Sequence, residues 1–248
     1  LRKRETFCVK QAKSIVELFS IANMMATKEK YTVTDLTKQL QNMREEYEGT
    51  PLRKNELNSC PFVQFSAWLL DAQKEKIPDP NACSLCTVDS DSKPMSRAVL
   101  LKGIEEKKFI FYTNYNSRKA KHLMENPYAT MHFPWFSIER QVVVAGRVSK
   151  VAEDKSEEYF NSRPSMSKLG AWASLQSKPL ESREALEESF VKAREKWGEQ
   201  PPKPPHWGGF ALDAESIEFW QGGPARLHDR FIYSKNAGKE WSINRFYP

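Results

Sequence analysis

The stretch IEFWQGGPARLHDRF (217–231) reads as strand, tight turn, strand. Ile217, Phe219 and Trp220 supply β-favouring bulk, and Gln221-Gly222-Gly223-Pro224 supplies the turn. Beyond the turn, period-2 alternation puts Arg226, His228 and Arg230 on one face and Leu227, Asp229 and Phe231 on the other. Three cationic or cationisable groups in a row read either as a solvated face or as a site for an anion or a heteroaromatic ring. The two glycines allow close backbone approach to such a ligand.

Working outward, the chain has 248 residues, 40% hydrophobic and 12% aromatic, enough to bury a sizeable core. No apolar run reaches the ~18 residues that a membrane span needs, so no membrane partner is expected. The four cysteines, at 8, 60, 83 and 86, are too few for a disulfide scaffold and suggest a reducing compartment. Net charge is +6, but residues 1–30 hold seven Lys/Arg and three Asp/Glu, or +4, which leaves +2 for the rest. A nearly balanced globular part argues against a nucleic-acid partner. GxGxxG, Walker and HExxH motifs are absent, so nicotinamide, nucleotide-hydrolysing and zinc-protease readings have no support. Cys83 and Cys86 form a CxxC, but ACSLCTV reads as a strand, whose residues three apart point to opposite faces. No metal site is expected there.

Residues 1–40 read as a poorly ordered extension, its basic, acid-poor opening faintly like an organellar transit segment. Residues 41–248 read as one domain. Asp35 to Tyr47 suits a short helix with Leu36, Leu40 and Met43 on one face, and Asn58 to Lys74 a second with Phe62, Phe65, Trp68 and Leu69 in the core. Met95 to Lys102 is a strand with Arg97 and Lys102 at its charged ends, either a solvent boundary or a phosphate clamp. Their odd spacing lets them share a site only if the strand bulges or ends near Lys102. After the strand Phe109 to Thr113, Ser117 can cap a helix that has Arg118 and Lys119 in its first turn. Basic residues there oppose the helix dipole unless an anion binds, and a helix N-terminus with Ser, Arg and Lys is a ready phosphate site. Ala129 to Val151 holds two strands around Pro134-Trp135, and Gln141 opens the second, either in water or buried, where its amide would need partners. Glu153 to Ser162 and Ser182 to Trp197 are helical, Gly170 to Ser177 is a small-residue segment, and Trp241 to Phe246 is the last strand. Short antiparallel strands with interspersed helices suggest α+β.

WQGGPARLHDR, together with RAVLLK (97–102), FYTNYNSRKA (111–120), ERQVVVAG (139–146), YFNSRP (159–164), GAWASLQS (170–177) and the final WSINRFYP, resembles the pyridoxine/pyridoxamine 5′-phosphate oxidases. The resemblance runs from about Arg44 to Pro248. It implies an antiparallel split β-barrel in a homodimer, with FMN at the subunit interface. It implies oxidation of pyridoxine 5′-phosphate or pyridoxamine 5′-phosphate to pyridoxal 5′-phosphate by hydride transfer to the flavin. Dioxygen is the acceptor and hydrogen peroxide the product. It assigns Arg97, Lys102, Tyr112, Thr113, Ser117, Arg118, Lys119, Gln141, Gln176, Ser177, Trp220 and Arg230 to FMN. Tyr159, Arg163 and Ser167 take the substrate phosphate, Arg44 and Tyr47 fold over the substrate, and Lys102 lies near it. Arg226 and His228 hold and polarise the substrate ring. The compartment implied is the cytoplasm, or the mitochondrion if residues 1–25 act as a transit segment. Two alternatives stay open: a non-catalytic FMN or pyridoxal phosphate carrier, and a split-barrel flavoenzyme with another substrate.

Overall fold

The computed structural model describes residues 33–43, 45–236, 238 and 240–248. Residues 1–25 and Arg44 lie outside the described residues. The chain divides between Glu46 and Tyr47 into two units. The described part of the first is helix α1 (Val33–Asn42) with the residues that follow it, so the helix ends short of the expected Tyr47. Glu45, Glu46 and Glu48 would place negative charge at a helix C-terminus, where the dipole disfavours it.

The second unit is built on one antiparallel sheet of nine strands: β1 (Ala82–Val88), β2 (Pro94–Leu100), β3 (Gly103–Glu105), β4 (Lys108–Asn114), β5 (Tyr128–Trp135), β6 (Arg140–Lys150), β7 (Trp207–Gln221), β8 (Asp229–Lys235) and β9 (Trp241–Phe246). Their order is β2-β1-β5-β6-β7-β4-β3, with β8 on β7 and β9 on β8. The 15-residue β7 is where the sheet splits. One edge pairs with β6 from Phe210 to Gln221. The other pairs first with β4, from Trp207 to Asp213, and then with β8, from Ser216 to Gln221. Just past the end of β2, the Lys102 N–H donates to the Ile110 carbonyl at 2.8 Å and draws β2 toward β4. The architecture is α+β with a split barrel.

Alternation fixes which face is core. Leu85, Met131, Phe133, Val142, Val144, Ile217, Phe219 and Phe231 point inward and are buried. Their neighbours Ser84, His132, Gln141, Val143, Glu218, Trp220 and Arg230 form a half-exposed outer face. Cys83 is buried and Cys86 is not, as strand alternation requires. Helix α2 (Pro61–Lys74) closes the inner face. Phe65 sits edge-on to Phe109 and Phe133 with centroids 5.0 Å away, and Trp68 meets Phe219 at 5.2 Å. Burying each such ring contributes roughly 1.5–3 kcal/mol.

Three boundaries differ from expectation. The turn between β5 and β6 is residues 136–139, and β5 continues through Pro134 and Trp135. Pro134 is tolerated because pairing of β5 with β1 ends at His132, so no partner needs its missing N–H. Arg226 and His228 do not stand on a strand beside Arg230. Residues 224–226 make a tight helical turn with Ala225 and Arg226 at φ 53° and 63°, and β8 begins only at Asp229. Much of the small-residue segment 170–177 is helical. After α3 (Arg118–Glu125) and α4 (Glu153–Ser162), α5 (Ser165–Ala173) runs through Gly170 and packs on α6 (Arg183–Trp197), with Trp172 and Trp197 rings 4.7 Å apart. The helix expected from Ser182 starts at Arg183, and Ser182 caps it, its Oγ accepting from the Ala185 N–H at 3.2 Å. No helix among the described residues is long and apolar enough to cross a membrane.

Candidate functional site

The sequence-predicted site residues fall into two groups. The first surrounds a cavity of about 590 Å³ lined by Lys102, Tyr112, Thr113, Lys119, Tyr159, Arg163, Ser167, Gln176 and Trp207, among others. Its floor is an aromatic stack. Tyr112 lies 3.9 Å from Tyr159 and 5.4 Å from Trp207, with interplanar angles of 17° and 8°. Gly209 on β7 makes room, since a Cβ there would come within 2.8 Å of the Tyr112 ring. Burial, with Glu105 adding, pushes the Tyr112 hydroxyl up to about 12, so it stays protonated at neutral pH.

Lys119 lines one end of this cavity, and Arg97, Ser117 and Arg118 lie outside its lining. Lys119 Nζ donates to Thr113 Oγ1 at 3.1 Å and to Gln176 Oε1 at 3.0 Å. Burial, helped by the nearby Arg97 guanidinium, pulls Lys119 down to about 8. Arg97 is also lowered, first by burial and then by Arg118, while Cys86 opposes the shift. Arg97 Nη1 donates to the Leu85 carbonyl at 2.9 Å and to Thr87 Oγ1 at 2.7 Å, but Nη2 is buried without a partner among the described residues. Ser117 takes the N-cap position of α3 yet its side chain accepts no backbone N–H, and its buried Oγ also lacks a partner among the described residues. Arg118 is exposed, with Nη1 3.4 Å from Met95 Sδ. Three cations and an unfilled cap, with no carboxylate partner among the described residues, have the chemistry that suits an anion.

A second cationic corner lies where α4 passes into α5. The Arg163 guanidinium sits 4.7 Å over the Trp207 ring and 5.4 Å over Phe160. Its Nη1 is buried with no partner among the described residues, and burial lowers its pKa. Tyr159 and Ser167 flank it in the same cavity. Ser177 follows Gln176 at φ 72° and does not line the cavity.

The second group gathers at the far end of β7. Trp220, His228 and Tyr47 form an aromatic cluster, with centroids 4.6 Å apart for Trp220–His228, 4.9 Å for Tyr47–His228 and 5.7 Å for Tyr47–Trp220. Arg226 lies 5.4 Å over the Tyr47 ring. Gly222 permits this closeness, because a Cβ there would meet Tyr47 Cδ1 at 2.5 Å. His228 Nδ1 accepts from the Gly223 N–H at 3.1 Å, which leaves the ring proton on Nε2. Burial and then Arg226 lower the His228 pKa, Glu139 partly opposing, so the ring is neutral at pH 7. Arg230 pairs with Glu218 at 2.8 Å, and Gln141 Oε1 is 3.0 Å from His132 Nε2. Gln141, Trp220 and Arg230 stand in register across β6, β7 and β8 on the outer face.

Trp207 and Trp220 open and close the two groups on one continuous strand. Thirteen steps of extended chain span roughly 40 Å, too far for both groups of one protomer to hold the same small molecule. A site using both must draw them from two chains.

A family model described as pyridoxamine 5′-phosphate oxidase matches residues 69–220, and one described as the pyridoxine 5′-phosphate oxidase C-terminal dimerisation region matches residues 207–248. The chain belongs to the pyridoxine/pyridoxamine 5′-phosphate oxidase family. Curated family members from Burkholderia mallei and Burkholderia thailandensis, both called pyridoxine/pyridoxamine 5′-phosphate oxidase, are 46% identical to it over 211 residues, 84% of this chain and 99% of theirs. Among solved structures, PhzG from Burkholderia lata in complex with tetrahydrophenazine-1-carboxylic acid matches with TM-score 0.77 at 26% identity, covering 82% of this chain and all of that one. A pyridoxamine 5′-phosphate oxidase-related, FMN-binding protein from Nostoc punctiforme shares the fold, with TM-score 0.63 at 18% identity over 77% of this chain and all of that one.

The dimerisation region of the family covers Trp220, Arg226, His228 and Arg230, the second group but for Tyr47 and Gln141. Sequence reasoning missed two residues that organise it. Glu139 holds a left-handed backbone at φ 53°. Its carboxylate accepts from the Glu48 N–H at 3.0 Å, and its carbonyl from the Gly222 N–H at 2.7 Å, pinning the Tyr47 segment to the glycine turn. Glu218 neutralises Arg230. Only the glycine-rich turn opposite hinted at Glu139; Glu218 reads as ordinary strand alternation.

Proposed function

We propose that this protein is an FMN-dependent oxidase converting pyridoxine 5′-phosphate or pyridoxamine 5′-phosphate to pyridoxal 5′-phosphate, with dioxygen as acceptor and hydrogen peroxide as product. The 46% identity over nearly the whole of relatives bearing that activity in their names supports the reaction. The observation that carries it to this chain's own residues is that one cavity is lined by two separate cations, Lys119 and Arg163. Arg163 Nη1 is a buried donor without a partner among the described residues, and Arg97 Nη2 and Ser117 Oγ, outside the cavity lining, are two more. A phosphorylated cofactor beside a phosphorylated substrate needs two such cations.

The residues fit FMN. Arg97, Ser117, Arg118 and Lys119 would hold its terminal phosphate, with Tyr112, Thr113, Gln176 and Ser177 alongside. No feature of the sequence suggests an adenosine site, which favours FMN over FAD. Gln141, Trp220 and Arg230 of a second copy would meet the ring, and Lys102 would stand between cofactor and substrate. FMN supplies the redox chemistry, accepting two electrons from the substrate and passing them to dioxygen. The protein orients and polarises. Arg163, Tyr159 and Ser167 fix the substrate phosphate. His228, neutral with its proton on Nε2, donates to the substrate ring, and Arg226 adds positive charge beside it. Arg44 and Tyr47 close over the substrate. The assembly is an isologous homodimer with two composite sites.

The test is direct. The purified protein should be yellow, should release FMN by mass spectrometry, and should form peroxide from pyridoxine 5′-phosphate. Released FAD would sink the cofactor assignment. Bound flavin without peroxide from either B6 phosphate would leave a carrier, and the oxidase reading would fall.

A further inference from the structure

Arg97 is held by a connection that runs back into the helix beside it. Its Nη1 donates to Thr87 Oγ1 at 2.7 Å, and Thr87 Oγ1 is 3.1 Å from His122 Nδ1. Thr87 is 1% exposed and His122 5%, so water competes for neither contact. Thr87 sits on β1, Arg97 on β2 and His122 on the last turn of α3. That same helix presents Ser117, Arg118 and Lys119 at its start. Because Thr87 Oγ1 already accepts from Arg97, its own proton is free to go to His122 Nδ1. The guanidinium is thereby fixed at one nitrogen, leaving the buried Nη2 as its free donor.

We propose that Thr87 and His122 are positioning residues for cofactor phosphate binding, locking Arg97 so that Nη2 faces the anion corner and tying that corner's two walls together. Neither residue touches the ligand. The inference rests on the FMN reading and adds the device that preorganises its phosphate site. An arginine free to rotate would have to be ordered on binding and would spend part of its contact on that ordering. Held in a planar fork, it delivers the hydrogen bond without that loss.

The experiment compares FMN with riboflavin, which lacks the phosphate, by flavin fluorescence titration of the apoprotein. Thr87→Val removes the hydroxyl at nearly constant shape. Its FMN affinity should fall about tenfold, the value of one hydrogen bond to a charged group, while riboflavin affinity stays unchanged. Thr87→Ser should restore FMN binding. His122→Phe keeps the ring volume, leaves Thr87 without its acceptor and should lose FMN affinity by about threefold, again without touching riboflavin. It also serves if Thr87→Val does not fold. In an Arg97→Ala background, Thr87→Val should cost nothing further, since the two act through one contact. Parallel loss of FMN and riboflavin affinity would mean general damage and overturn the proposal. So would FMN affinity unchanged in both variants. Wild-type apoprotein that binds neither flavin would overturn the cofactor reading and this inference with it, whereas tight wild-type FMN binding with Thr87→Val unaffected would overturn this inference alone.

Discussion

Replacing Arg163 by alanine should separate function from stability. In the ligand-free protein Arg163 has mixed value. Its guanidinium over Trp207 at 4.7 Å gives a cation–π contact of about 0.5–2 kcal/mol. Against that, a buried donor without a partner costs roughly 1–3 kcal/mol. The two nearly cancel, so Arg163→Ala should move Tm by less than about 4 °C, the shift expected from 1 kcal/mol in a chain this size. With substrate present the balance changes. A charge-assisted contact to phosphate contributes about 1.5–3 kcal/mol, so kcat/KM for pyridoxine 5′-phosphate should fall about 10- to 150-fold. Unphosphorylated pyridoxine never made that contact, so its kcat/KM should barely change and the preference between the two substrates should collapse. Flavin occupancy, read from the visible spectrum, should stay as in the wild type. Peroxide-coupled kinetics on both substrates, with a melting curve, test this. An equal fall on both substrates, or a colourless variant, would refute the assignment of Arg163 to the substrate phosphate.

Arg118→Ala should yield a paler protein whose activity recovers with excess FMN; failure to recover would remove Arg118 from the cofactor site. Lys119 gives a pH signature. Its folded pKa of about 8 lies below the unfolded 10.5, so the cost of burying its charge is present below pH 8 and is relieved as pH rises toward 10.5. The FMN phosphate favours the charged form, so apoprotein affinity should weaken as pH rises through about 8, and Lys119→Met should abolish that step in a fluorescence titration. Arg230→Gln should weaken FMN binding and slow flavin reduction in stopped-flow, and should leave Glu218 unpaired; unchanged occupancy and rate would return Arg230 to a purely structural ion pair. Arg163→Ala and Arg226→Ala proteins, each nearly inactive alone, should regain about a quarter of wild-type activity when unfolded and refolded together, because half the dimers are mixed and carry one intact composite site. No recovery would mean that each chain builds its site alone.

Much of the fold was legible where one physical rule acted locally. The CxxC resolved into opposite strand faces through alternation alone, and the helix that became α6 was legible to within one residue of its start. The helix after Arg163 was not legible. Pro164 and Gly170 carry loop signals, and what overrides them is packing of Trp172 on Trp197, a contact 25 residues away. The turn at Arg226 was misread because the alternation of Arg226, His228 and Arg230 continues smoothly through it. Its left-handed residues are Ala225 and Arg226, neither of which advertises positive φ. The anion corner at Ser117 was visible as a mismatch between charge and helix dipole. The division of the site into two distant groups was not, because residues close in a list of motifs carry no distance. That emerged only when β7 proved to be one unbroken strand from Trp207 to Gln221.

The segment carrying Tyr47 is anchored from the far side of the sequence. The Leu52 N–H donates to Asp229 Oδ2 at 2.7 Å across 177 residues. Arg245 pairs with Asp229 and donates to the Leu52 carbonyl at 2.8 Å across 193. Closing so large a loop is entropically costly until most of the chain is already in place. The aromatic cluster around His228 is therefore tied to the C-terminal strand, and losing the Arg245 side chain should loosen the Tyr47 segment from a distance of almost the whole sequence.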